Sequence, residues 1–186
     1  MAVQLRRRLF TVDEYYRMGQ AAILVEDDRV ELLEGQIVEM GPLRSWRQAT
    51  VDRLNWLFSS RVTDRAMICI HGPVRLSEES EPQPDFMLLR RRDDFYESAH
   101  PEPNDVLLLI EVSDTSTEYD REVKLPLYAR YGIAEVWLVG LEAETVETFR
   151  SPTADGYQEA TQWQRGQRLS PIAFPGLDVA VDDIWG

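Results

Sequence analysis

Cysteine is almost absent. Cys69 is the only one in 186 residues, which excludes an intramolecular disulfide framework and a cysteine-based zinc cluster. Histidine is scarce as well: His71 and His100 lie far apart, with no HExxH-like spacing, so a zinc site is not expected. No apolar stretch approaches the roughly 18 residues of a membrane span. Residues 1–16 carry arginines without the apolar run of a secretory signal. Gly/Ser linkers, internal repeats, a GxSxG elbow, a P-loop and a dinucleotide fingerprint are all missing. The expectation is a soluble, cytoplasmic single domain spanning 1–186.

What is present narrows the field. A hydrophobic content of 44% with 10% aromatics excludes a disordered chain. Acidic side chains number 33 against 20 basic ones, a net charge of −13, which argues against coating nucleic acid by charge alone. All the basic residues are arginine except Lys124. A lone lysine dealt at random would reach that position about one time in twenty, and the distinction matters because only an amine is compact and able to lose its proton.

Thr11-Val12-Asp13-Glu14 reads as a capping box opening a short helix that ends near Gly19. Residues 29–40 look like two strands joined at Glu34-Gly35. Ser45 to Gln48 reads as a second capping box, and the helix after it lines up Val51, Leu54, Phe58 and Val62. Short strands are expected at Met67–Ile70, Val74–Leu76 and Phe86–Leu89. Val106 to Ile110 is a continuous apolar run, the mark of a strand buried on both faces, and it ends in Glu111. Pro126 fits only the first turn of a helix or a kink, which places a helix at about Val123–Tyr131 with Gly132 as its stop. Val136–Val139 returns as a buried strand, so strand, helix and strand imply a right-handed parallel crossover. Thr145–Phe149, Tyr157–Trp163 and Val179–Val181 read as antiparallel edge strands. The fold class is α/β, a mixed sheet flanked by helices.

Three residues carry the chemistry. Glu111 closes an apolar strand, and an ionised carboxylate in dry protein costs several kcal/mol unless paired or bound to metal. Taken alone, it could equally be a solvated strand end. Asp85, after Pro84, sits at the entry of the strand Phe86–Leu89, where a turn aspartate is the bland alternative. Antiparallel pairing at these ends would bring both carboxylates to one point, where like charges repel unless a divalent cation lies between them. Lys124 lies at the mouth of the next helix, facing back toward Glu111. Glu31 and Glu34 share the first hairpin, and the pattern leaves open which faces inward.

These residues resemble a known family. Val30 to Gly35, Pro84-Asp85, Glu111-Val112-Ser113 with Ser116-Thr117, Asp120, Lys124, and Tyr128 through Gly132 to Trp137 are similar in order and spacing to the Uma-two family. That family is a branch of the PD-(D/E)XK nuclease superfamily. The resemblance implies a restriction-endonuclease-like core in which Asp85 and Glu111 bind Mg²⁺ or Mn²⁺, aided by the main-chain carbonyl of Val112. Glu31 is the additional acid. Lys124 matches a lysine relocated to the helix, since the usual position is Ser113 here. One departure stands out: Arg47 occupies the place where the family commonly has a histidine.

The function so implied is metal-dependent hydrolysis of DNA phosphodiesters, with Arg44, Arg47 and Arg53 as candidate DNA contacts. Arg6-Arg7-Arg8 and Arg90-Arg91-Arg92 are further positive groups. An acidic nuclease would bind DNA loosely and in a salt-dependent way, so a homodimer or an additional partner protein is expected to help it reach its substrate. The rival reading is a catalytically silent binding or regulatory domain that keeps the nuclease fold. A glycosidase with paired carboxylates leaves Lys124 without a task.

Overall fold

The computed structural model describes residues 7–25, 27–113 and 117–185. Arg6 and Ser116, named above, lie outside them. Helix α1 (Val12–Gln20) opens on the expected capping box: the Thr11 hydroxyl accepts from the Glu14 N–H, and the Glu14 carboxylate accepts from the Thr11 N–H. Strands β1 (Val30–Leu33) and β2 (Gln36–Glu39) pair antiparallel through Glu34 and Gly35. Both turn residues have positive φ, 47° and 74°, as a two-residue turn with this twist requires. Gly35 is further constrained, because a Cβ there would stand 2.5 Å from that of Leu9.

A six-stranded sheet in the order β3-β4-β5-β6-β7-β8 forms the centre. Its strands are β3 (Met67–Ile70), β4 (Phe86–Leu89), β5 (Val106–Ser113), β6 (Glu135–Gly140), β7 (Thr145–Thr153) and β8 (Gly156–Trp163). Only β5 and β6 run parallel, which is the expected crossover. Alternation along the strands divides two cores. Phe86, Leu88, Leu108, Ile110 and Trp137 pack beneath α2 (Ser45–Val62) with Leu54 and Phe58. Met87, Leu89, Leu109 and Leu138 face the opposite layer, against Leu125 and Tyr128 of α4 (Leu125–Arg130). The pair β9 (Arg168–Leu169) and β10 (Val179–Ala180), with α5 (Asp182–Trp185), closes the α2 side.

Five expectations are corrected. Ser45 is the first helical residue and Arg44 the N-cap, so the second capping box does not form; the Gln48 amide that would complete it reaches Asp52 and His71 instead. Val74–Leu76 is not a strand, because neighbouring Pro73, Pro82 and Pro84 lack the N–H a ladder needs. Strand β5 continues two residues beyond Glu111, to Ser113. β7 is an interior strand, between β6 and β8, and β10 pairs with β9 outside the main sheet. Finally, the helix before Gly132 begins earlier: α3 (Thr117–Tyr119) runs into a π-helical stretch (Asp120–Lys124) and then α4. Pro126 falls in the first turn of α4, directly after that stretch.

Candidate functional site

The register of β4 and β5 builds the site. Phe86 pairs with Ile110, so Asp85 and Glu111 follow at the same end of neighbouring antiparallel strands. Each is in phase with the residues facing the α4 layer, Met87 and Leu109 respectively. Both carboxylates are therefore buried on one face, each 1% exposed. Glu31 of β1 is the inward acid of the first hairpin, whereas Glu34 is exposed and pairs with Arg130.

Lys124 closes the cluster. It ends the π-helical stretch, and its Nζ donates at 3.2 Å to Glu111 Oε1 and lies 3.2 Å from Glu31 Oε2. Burial disfavours the ammonium, but Glu111, Glu31, Asp120 and Asp85 together outweigh that, and its pKa is raised. The Tyr128 hydroxyl, one turn further on, also donates to Glu111 Oε1, at 2.6 Å. Burial and the Glu111 charge keep that phenol protonated, far above its ordinary range. Asp120 accepts from the buried Ser113 hydroxyl. Neither Tyr128 nor Asp120 was singled out as a site residue from sequence, though their spacing from Lys124, four residues either way, puts all three on one helical face.

The two oxygens of Asp85 differ. Oδ2 accepts from the Val112 N–H at 2.8 Å and from Arg47 at 3.2 Å (Nε) and 2.7 Å (Nη2). Oδ1 faces His71 Nδ1 at 3.5 Å. Val112, expected to contribute its carbonyl, thus contributes its N–H in this arrangement. His71 is a residue that sequence reasoning passed over. The available signal was the β3–β4 register: Ile70 opposes Phe86, so His71 stands opposite Asp85. Burial lowers the His71 pKa, and Arg47 and Arg29 reinforce this against Asp85.

The arginines divide by position. Arg47 lies inside the site. Arg44, the N-cap of α2, and Arg53, midway along it, line a shallow hollow of about 470 Å³ with Trp46. Arg90 to Arg92 sit at the other end of β4, five residues or about 17 Å of extended chain from Asp85. Glu31, Arg47, Tyr119, Asp120 and Lys124 line a cleft of about 270 Å³.

The donor set fits a divalent cation. Among the described residues, four buried carboxylates, Glu31, Asp85, Glu111 and Asp120, act on two cations, Arg47 and Lys124. Glu111 Oε2 is buried without a hydrogen-bond partner. Burial, followed by the effect of neighbouring acids, raises the Glu111 pKa to about 8 against the pull of Lys124. A cation at that oxygen would satisfy it and restore its charge. Among the described residues no group of three His, Cys, Asp or Glu side chains has metal-ligand geometry. Water and substrate oxygens would complete the shell, as they commonly do for Mg²⁺.

Comparison with known proteins bears on the family and the fold. The Uma2 family, described as "Putative restriction endonuclease", matches residues 12–182. The solved structure described as "a putative nuclease belonging to DUF820 from Anabaena variabilis ATCC 29413" is 17% identical and superposes with a TM-score of 0.70, over 95% of this chain and 97% of that one. That likeness establishes a shared fold. No curated protein matches.

Proposed function

The chain belongs to the Uma2 family of restriction-type nucleases, and from that premise we propose that it hydrolyses DNA phosphodiesters with Mg²⁺ or Mn²⁺ held by Asp85 and Glu111. The observation that carries this reading is the buried, unpartnered Glu111 Oε2 in a cluster with more carboxylates than cations. A bound divalent ion would polarise the scissile phosphate and lower the pKa of its water. The chain's own side chains do the rest. Lys124 stays protonated, offsets charge developing on the phosphate and orients the attacking water; it is not a general base. Glu31 fixes the Lys124 ammonium, being held itself by the Gln83 N–H at 3.0 Å. Tyr128 fixes Glu111. Arg44 and Arg53 are the proposed phosphate contacts outside the cleft, and Arg47 reaches phosphate only on leaving Asp85. Two copies in a homodimer would present two sites to the two strands.

Supercoiled plasmid provides the test. Wild type should nick it in Mg²⁺ or Mn²⁺, and Asp85→Asn should lose about a hundredfold of that rate. Equal nicking by both proteins would remove Asp85 from the mechanism. The silent-domain reading draws on one observation, the Arg47 guanidinium already seated on Asp85. It predicts no cleavage and no rise in melting temperature with either ion.

A further inference from the structure

Helix α2 buries one side and leaves two tryptophans on the other. Val51, Leu54, Leu57 and Phe58 belong to the core, whereas Trp46 is 37% exposed and Trp56 is 77% exposed. Single apolar side chains scattered over a surface are ordinary. These two are not scattered: Trp46, Ala49, Arg53 and Trp56 follow in steps of three, four and three residues, which return to one helix face. Ten residues separate the two rings, about 15 Å along the axis. That is well beyond the roughly 3.4 Å between stacked bases, so each ring would meet a different base.

The stripe borders the carboxylate end of the sheet. Trp46 immediately precedes Arg47, whose guanidinium holds Asp85. The hollow that Trp46 lines with Arg44 and Arg53 is also lined by Leu141. The Leu141 N–H donates at 2.9 Å to the carbonyl of Ser113, two residues beyond Glu111 on β5. Arg53 is exposed and forms no ion pair with another described residue. Glu142 lines the hollow as well. Its charge repels a phosphate backbone, which leaves the α2 side, with Arg44 and Arg53, as the track for one.

A chain with a net charge of −13 is poorly placed to hold DNA by charge alone. Stacking is the other source of affinity, and it needs open base faces. A duplex covers those faces with neighbouring base pairs, whereas an unpaired strand leaves them free. Exposed indole rings with an arginine between them supply both the stacking surface and the phosphate contact. We propose that Trp46, Arg53 and Trp56 form a stacking platform for an unpaired DNA strand, so that the substrate is single-stranded or gapped DNA in preference to uninterrupted duplex. For the cut itself this rests on the metal-dependent reading above, and it names that reading's substrate class.

Fluorescence anisotropy of a labelled oligothymidylate, alone or paired with oligoadenylate, tests binding by the whole chain in EDTA. Wild type should bind the single strand at least about tenfold more tightly than the duplex. Trp46→Ala and Trp56→Ala should each weaken strand binding about tenfold and change duplex binding by no more than about twofold. Trp56→Phe keeps a ring face and should retain most of the strand affinity. It also guards against misfolding, since so exposed a side chain can be replaced without opening the core. Arg53→Gln should weaken strand and duplex alike and flatten the salt dependence. A wild type that binds strand no more tightly than duplex, or alanine variants that bind strand as wild type does, overturns the proposal. Alanine variants that lose dimerisation but keep strand affinity also overturn it, and assign the face to a second copy. If the variants lose strand binding but wild type cuts nothing in Mg²⁺ or Mn²⁺, the platform stands and the nuclease reading falls. If wild type cuts strand and duplex at equal rates and the variants do the same, the nuclease reading stands and the platform falls.

Discussion

Glu111→Gln is expected to lose about a thousandfold of the metal-dependent nicking rate while making the metal-free protein more stable at pH 8. The two effects have opposite signs because one side chain carries both. Its Oε2 is the buried atom without a partner, and burial raises its pKa from 4.5 to about 8. Between those values the folded chain binds a proton that the unfolded chain has released. Stability on this account is complete below pH 4.5, falls as pH rises through the window, and levels off above about 8. The full span is on the order of 5 kcal/mol as an upper limit. Glutamine is uncharged throughout, so the variant should show no such decline and should overtake wild type as pH rises from 5 to 8. His71, whose pKa is lowered from 6.5, contributes a slope of the opposite sign below that value, and that slope should persist in the variant. Denaturant unfolding at pH 5, 6.5 and 8 measures the difference. A parallel decline in both proteins would show that Glu111 is not the group responsible.

Lys124→Met should produce the largest loss of stability, about 3–5 kcal/mol at pH 8, since it leaves Glu31 and Glu111 buried without their shared cation. The Glu111 share of that loss should change little between pH 5 and 8, because the folded protein already holds the Glu111 proton through that window and removal of Lys124 only strengthens the hold. Combining it with Glu111→Gln should recover much of the deficit, because the two residues are in direct contact and their effects are coupled. Cleavage should fall by about 10²–10³. Lys124→Arg should not rescue it: the side chain is buried, with two carboxylate oxygens each 3.2 Å from the ammonium, and a planar guanidinium has neither the room nor the shape. A Lys124→Met protein as stable as wild type at pH 8 would contradict the pairing.

Much of the site was legible in the chain because its signals are local. An apolar run closed by Glu111, a Pro-Asp at a strand entry and the only lysine at the mouth of the next helix each stand out in one dimension. The fold class followed from the same runs, since the strand, helix and strand from Val106 to Val139 admit one crossover. Features that depend on pairing were not legible. His71 acquires its partner only through the β3–β4 register. Arg47, read as a contact for DNA, turns inward to Asp85 because a buried carboxylate attracts the nearest cation. The early start of the helix was hidden by Pro126, which reads as a first-turn proline and is preceded by a π-helical stretch that no propensity signals. The net charge of −13 also reads differently once the acids are placed. Four of them, Glu31, Asp85, Glu111 and Asp120, are buried and act on Lys124, so their charge is not spread over the surface.

Anomalous diffraction from crystals grown with Mn²⁺ tests the central claim most directly. The account predicts one strong peak within bonding distance of both Asp85 and Glu111. A map with no peak there, or with a peak elsewhere while Arg47 still holds Asp85, would contradict it.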